Sequence, residues 1–393
     1  MPRNRFLIVA GERSGDIYGA ALAQAICARV PDAEVFGCGG EAMRGADVEI
    51  LVDLHQVALI GISEVVTGLP TAYRAMKDLV TEAARRKPAV AILIDSPSLN
   101  LRLATRLKRQ SIPVIYFVSP QIWAWKKWRI RQIKACVDLM LCLFDFETEI
   151  YEKAGVPVEC VGHPLVDMSA PRLTRDEFFS HAGLDPGVPT VALLPGSRRT
   201  EVKFNLPAML EAAARVAQSR SVQFVVAGAP TIDRHWLEEM VSSGYAGTAP
   251  LRALSNTTHE ALQYSDAAVV ASGTATIEAA LRECPMIVVY RVSAFTAFCA
   301  RFMIDVPFYS MVNLLAGHGA VPELIQSDFT AANLATHIES LLDDGEGRKK
   351  MIEQLQKIRS HLGQTGAIGR AADAIVRYLE ASKASHKGAE ASL

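Results

Sequence analysis

Between Asp95 and Asp138 the sequence contains no acidic residue. The same stretch carries Arg102, Arg106, Lys108, Arg109, Lys126, Lys127, Arg129, Arg131 and Lys134, a local concentration of positive charge that attracts anions. The chain as a whole is balanced, with 41 basic and 42 acidic residues, which excludes binding to nucleic acid through bulk charge. Its seven cysteines form no C-x-x-C pair, which argues against a disulfide framework or a zinc site and for a reducing compartment. Neither an Asp-x-Asp nor a clustered His/Cys set occurs, so no metal-held diphosphate and no cofactor are expected. Long apolar runs are also missing. Phe6 to Ala10 is too short for a signal-peptide core, and the uncharged segment 306–322 is broken by prolines, glycines, Asn313 and His318. These absences leave a cytoplasmic protein whose membrane contact, where there is one, is peripheral.

What is present points to an α/β protein. At 393 residues, 50% hydrophobic and 21% charged, the chain is long enough for two cores. Short apolar runs at 6–10, 34–38, 89–95, 113–119, 139–144 and 158–162 alternate with helical periodicity at 16–30, 72–86, 100–110 and 145–154. The rhythm restarts with strands at 190–194, 222–227, 266–271 and 286–291 and helices near 201–218, 232–243, 276–283 and 330–342. This predicts two Rossmann-like domains, residues 1–165 and 166–345, with a proline-bearing linker at 163–189. Two helices follow within 346–382, which pack on the first domain or on a partner chain, and then a frayed tail at 383–393.

Open parallel sheets bind ligands at the carboxyl ends of their strands. The first strand runs into "AGERSGD", a turn with Gly11 and Gly15 that lacks the full dinucleotide spacing. The run 89–95 ends in Asp95, which reads either as a helix N-cap or as a general base for an attacking hydroxyl. In the second half "LLPGSRRTE" brings Gly196, Ser197 and Arg198 to the mouth of a helix, where amides and a guanidinium converge on a phosphate. "ASGTATIE" repeats the pattern with Ser272, Gly273 and Thr274, and Glu278 is placed to accept from ribose hydroxyls. Ordinary strand-to-helix turns are the alternative reading of both loops. If 126–137 is helical, Lys127, Arg131 and Lys134 share a face, Trp128 lies opposite the apolar stripe of Ile130, Ile133 and Val137, and an anionic membrane surface is a fitting partner. The apolar segment 57–70 is a companion surface for acyl chains or plain core.

Taken in order, "AGERSGD", "GISEV", "IDSPSLN", "YFVSPQIWAW", "GHPL", "LLPGSR", "ASGTATIE", "CPMIVVYR" and "NLLAG" resemble the lipid-A-disaccharide synthase family, inverting glycosyltransferases of the GT-B architecture. The resemblance covers residues 6 to about 326 closely. It implies two domains facing across a cleft and metal-independent transfer of diacylglucosamine from UDP to diacylglucosamine 1-phosphate, at the inner face of the cytoplasmic membrane. In that picture Asp95 is the base and Arg198, with amides near Ser197 and Thr274, stabilises departing UDP. Glu278 holds the ribose, and Asn313 approaches the donor sugar or diphosphate. Glu12, Ser14 and Asp16 line the acceptor side. Another GT-B enzyme on a UDP-amino sugar, a 2-epimerase or a glycan transferase, is the alternative. A nucleic-acid module using the Trp/Lys/Arg stretch and a noncatalytic membrane protein are rivals of other classes, with nucleic acid not expected as a partner. Homo-oligomerisation stays open.

Overall fold

The computed structural model describes residues 4–57, 69–123, 128–292, 307–343 and 345–390. The chain divides into two compact units, Met1–Asp167 with Leu362–Leu393, and Met168–His361. The first is built on β1 (Arg5–Ala10), β2 (Glu34–Gly39), β3 (Glu49–Asp53), β4 (Val90–Ile94), β5 (Val114–Phe117), β6 (Leu139–Cys142) and β7 (Val158–Cys160), in the order β3-β2-β1-β4-β5-β6-β7. The second is built on β8 (Thr190–Leu194), β9 (Gln223–Gly228), β10 (Leu251–Ser255), β11 (Ala267–Ala271), β12 (Met286–Tyr290) and β13 (Glu323–Ile325), in the order β10-β9-β8-β11-β12-β13. Every pairing is parallel.

Burial explains most of the strands the sequence displays, the half-exposed edge strand β7 being the exception. The central β4 (VAILI), β8 (TVALL) and β11 (AAVVA) are buried throughout, because helices cover both faces of a parallel sheet and both faces must be apolar. The strands absent from the sequence reading are β3, β10 and β13, all at sheet edges and mostly half-exposed. An edge strand can carry Glu49, Arg252 or Glu323 and so loses the continuous apolar signature.

The division between the units differs from the sequence reading in three places. The segment 163–189 is not a bare linker. It holds the helices Leu165–Met168 and Arg175–Ala182, the latter capped reciprocally by Thr174 and Glu177 and burying Phe178 and Phe179. The helix Glu346–His361 belongs to the second unit, tied there by Gln356 and Arg359 to Glu283. The helix Ala367–Glu390 belongs to the first, and its backbone stays helical to Glu390 instead of fraying from 383, in keeping with the Ala, Lys and Glu of that stretch. Its start is capped from far away in sequence: Asp167 accepts from the amides of Gly366 at 2.8 Å and Ala367 at 3.1 Å. Arg29, on the helix Arg13–Arg29, pairs with Asp373 at 2.6 Å and fixes the C-terminal helix against that helix.

Candidate active site

In each sheet the strand order reverses beside the first strand, between β1 and β4 and between β8 and β11. Loops leaving neighbouring strands at such a point run in opposite directions and open a crevice. The loops after β1 and β4 carry Gly11, Glu12, Asp95 and Ser96, and those after β8 and β11 carry Gly196, Ser197, Arg198, Ser272, Gly273 and Thr274.

Asp95 and Ser96 both adopt left-handed backbone conformations, at φ 48° and 44°. For residues other than glycine each costs on the order of 1–3 kcal/mol, so the surroundings must hold them. Asn100 does so from the next helix, its Nδ2 donating to the carbonyls of Ile94 and Asp95, both at 2.9 Å. The Tyr116 hydroxyl donates to the Asp95 carbonyl at 2.5 Å. Gly11 is required by the same turn, since a Cβ there would lie 2.3 Å from Ser96 Oγ. The result is a half-buried carboxyl whose pKa is raised to about 7, first by burial and then by the nearby charge of Glu12. A carboxylate that titrates near neutrality is suited to take a proton from an alcohol and pass it on.

Asp95 lines a cavity of about 130 Å³ with Pro97, Pro120, Gln121, Ile122 and Arg129. The wall at 119–123 is held from below by Glu147, which is 2% exposed. Its carboxylate accepts from Trp123 Nε1 at 3.1 Å and from the amides of Leu143 and Phe144, both at 3.2 Å. Burial raises its pKa to about 7.

The acceptor-side residues separate. Glu12 is exposed at the mouth of the helix Arg13–Arg29 and Ser14 is half-buried on its first turn. Asp16 departs from the expectation. It is buried, and its oxygens accept from the amides of Gly40 at 2.6 Å, Ala42 at 3.0 Å and Met43 at 3.2 Å, capping the short helix Glu41–Gly45. With three amides on it, the carboxylate supports the neighbouring loop.

In the second unit Gly196 has φ 128°, and Arg198 is the N-cap of the helix Arg199–Ser219. Glu201 accepts from the amides of Ser197 at 2.9 Å and Arg198 at 3.2 Å and pairs with the exposed Arg198 guanidinium at 3.2 Å. Asn205 donates to the Pro195 carbonyl at 2.9 Å and accepts from the Arg291 amide at 3.2 Å, so it joins this loop to the end of β12. Opposite, Gly273 is the N-cap of the helix Thr274–Leu281 and contributes no side chain to cap it. Ser272 Oγ donates to the Tyr309 carbonyl at 2.8 Å. Glu278 is half-buried, and burial raises its pKa to about 7.

Asn313 also departs from the expectation that it approaches the donor. It is 1% exposed, and its amide is fully engaged: Nδ2 donates to Val321 O at 2.9 Å and Glu323 Oε1 at 2.8 Å, while Oδ1 accepts from Val321 N at 2.9 Å. Glu323 in turn accepts from the amides of Tyr309 and Ser310 at 2.8 and 2.9 Å. Asn313 therefore shapes the loop to which Ser272 is tied. Asn313→Ala strands the Val321 amide and carbonyl in the interior and should lower stability by about 2–4 kcal/mol in urea unfolding. A loss of transfer with unchanged stability would instead make Asn313 a ligand contact.

On the helix Arg129–Cys136, Ile133 is buried and Arg131 and Lys134 are exposed, while Trp128 just before it is 64% exposed. Lys127 and residues 58–68 of the apolar segment lie outside the described residues. Arg129 faces inward instead, at 8% exposure. Among the described residues no helix is long and apolar enough to cross a membrane, and no group of three His, Cys, Asp or Glu side chains is placed to hold a metal ion.

Arg129, Glu147, Glu201, Asn205 and Glu323 were not singled out from the sequence as parts of a site. A Glu three residues into a helix behind "PGSR" is the one legible signal among them, through its capping pattern.

Comparison with known proteins narrows the chemistry. A family model described as lipid-A-disaccharide synthetase matches residues 6–374. The lipid-A-disaccharide synthase of Myxococcus xanthus is 45% identical over 377 residues, 95% of this chain and 97% of that protein. That of Solibacter usitatus is 41% identical over 377 residues, 96% of this chain and 98% of that protein. Solved structures of similar fold include S. aureus MnaA with UDP (TM-score 0.63, 12% identity, 96% of this chain and 97% of that one). They also include a putative UDP-N-acetylglucosamine 2-epimerase of Listeria monocytogenes (0.62, 16%, 96% and 97%) and Acinetobacter baumannii MurG (0.56, 15%, 95% and 99%). Identities this low establish the two Rossmann-like domains and nothing of the reaction, so a 2-epimerase is not favoured. Two Rossmann-like units, matched by this family along nearly the whole sequence, identify the chain as a member of the lipid-A-disaccharide synthase family, glycosyltransferases of lipid A biosynthesis.

Proposed function

We propose that this glycosyltransferase condenses UDP-2,3-diacylglucosamine with 2,3-diacylglucosamine 1-phosphate to a β-1,6-linked disaccharide 1-phosphate, releasing UDP with inversion. The observation that carries the assignment is Asp95, a carboxyl raised to about pKa 7 in a cavity at the switch point of the first sheet. In the reaction the primary hydroxyl of the acceptor attacks C1 of the donor, its proton passes to Asp95, and the C1–O bond to UDP breaks. The Gly196–Arg198 and Ser272–Thr274 loops supply amides and a guanidinium to the diphosphate, where negative charge grows as that bond breaks. Glu278 accepts from the ribose hydroxyls. Asn313 and Asp16 act as supports, and Glu12 and Ser14 border the acceptor. No metal or other cofactor is assigned to the reaction.

Incubating acylated and non-acylated UDP-glucosamine with the acceptor and reading product mass tests the reading directly. Disaccharide phosphate from the acylated donor is the expected result. Equal turnover of the non-acylated donor, or formation of an epimerised UDP-sugar alone, would overturn it.

Both substrates carry acyl chains, so the enzyme works at an anionic membrane surface on the cytoplasmic side, with Trp128, Lys127, Arg131 and Lys134 as the contact. Each cation near such a surface contributes about 1 kcal/mol. Replacing Arg131 and Lys134 by Gln should therefore lower partitioning onto anionic vesicles roughly 30-fold at low salt and much less at high salt. Sedimentation with vesicles measures it, and an equal loss at both salts would contradict an electrostatic contact.

A further inference from the structure

The cavity beside Asp95 contains a second charged group to which the reaction above gives no role. Arg129 is the first residue of the helix Arg129–Cys136, 8% exposed, with its guanidinium 6.0 Å from the centre of the Trp128 ring. Burial works against its charge, yet a guanidinium does not lose its proton in a protein, so Arg129 brings a positive charge to the lining of the cavity that Asp95 also lines. Resting on the proposed function, we propose that Arg129 holds the phosphate of the acceptor sugar in the cavity it shares with Asp95, and so sets the preference for a sugar phosphate over a neutral sugar.

Size and chemistry support the assignment. The cavity, about 130 Å³, has room on the order of four water molecules, roughly that of a phosphate group. A guanidinium presents five donors in a planar fork that matches phosphate oxygens two at a time. The other lining side chains are Pro97, Pro120 and Ile122, with Gln121 as a polar neighbour, so the phosphate would meet its counter-charge in a site partly screened from water. The acceptor is a molecule with a reacting hydroxyl and a phosphomonoester on one sugar ring, and this one cavity offers a base and a cation. Arg129 is tethered by the helix that also carries the exposed Arg131 and Lys134, whereas Glu147 fixes the facing wall through Trp123.

The test compares the phosphorylated acceptor with its dephosphorylated counterpart in wild type, Arg129→Gln and Arg129→Lys. Wild type should favour the phosphorylated acceptor in kcat/KM. Arg129→Gln should lose about 10- to 100-fold on it, chiefly through KM, with little change on the neutral acceptor. Arg129→Lys should recover part of the loss, since it restores the charge without the fork. UDP affinity should not change in either variant. An equal loss on both acceptors, or no loss on either, overturns the proposal. Inorganic phosphate separates the substrate's phosphate from free phosphate and decides the matter even if wild type transfers no sugar. Bound phosphate that competes with the acceptor in wild type and weakens in Arg129→Gln supports the assignment, and phosphate binding that the substitution leaves untouched sinks it. Absence of any sugar transfer by wild type would count against the proposed reaction alone.

Discussion

Asp95→Asn should lower the transfer rate by about 10²–10⁴-fold, the usual contribution of a positioned general base, while the affinity for UDP stays near that of wild type. The separation is expected because the loops proposed to hold the diphosphate belong to Met168–His361 and Asp95 to the other unit. Initial rates at saturating substrates and a UDP titration measure the two quantities, and near-normal transfer by the variant would refute the assignment. In wild type the rate should fall as pH drops below about 7, because the base becomes protonated.

The same substitution should raise stability. Asp95 has a folded-state pKa near 7, above its ordinary value of 3.8, so the folded chain holds this proton more tightly than the unfolded one. The stability linked to the proton is fully present below about pH 4 and is lost as pH rises through about 7. A displacement of that size corresponds to roughly 4 kcal/mol at most, and to less for a half-buried group in contact with solvent. Asn carries no such charge. Asp95→Asn should therefore raise Tm by several degrees at pH 8 and hardly at all at pH 4.5. An unfavourable carboxylate and two left-handed residues at one turn cost stability, as expected where a turn serves the proposed reaction. Equal Tm at both pH values would remove the electrostatic part of this argument.

Arg198→Ala should cut the transfer rate about 10²–10³-fold and weaken UDP, since one preorganised donor to the departing diphosphate is lost. Arg198→Lys should recover only part of the rate, because an ammonium keeps the charge and loses the bidentate fork. The guanidinium pairs with Glu201, which also holds the Ser197 and Arg198 amides. The two variants should leave the unfolding midpoint nearly unchanged, as expected for an exposed ion pair. A rate within threefold of wild type for Arg198→Ala would exclude the leaving-group role.

The two α/β units, the central strands and the loops that end them could be read from the sequence. A parallel strand covered on both faces must be apolar from end to end, and a strand-to-helix turn bearing Gly and a charge stands out against that background, as at Asp95 and at "PGSR". The edge strands β3, β10 and β13 could not, because half-exposed positions relax the apolar pattern. Local sequence also could not say which carboxylates and amides face a ligand. Asp16 and Asn313 stand in motifs as polar as the one around Asp95, and only the chain brought against them from positions 40–43 and 321–323 turns their oxygens and nitrogens inward. Arg129 was one cation among nine in an acid-free stretch. Packing of its helix against the helices Pro97–Lys108 and Asp145–Ala154 left Arg131 and Lys134 outside and took Arg129 into the cavity beside Asp95. Periodicity records what one element must bury. Which polar group meets solvent, a protein partner or a substrate depends on what a distant part of the chain places opposite it.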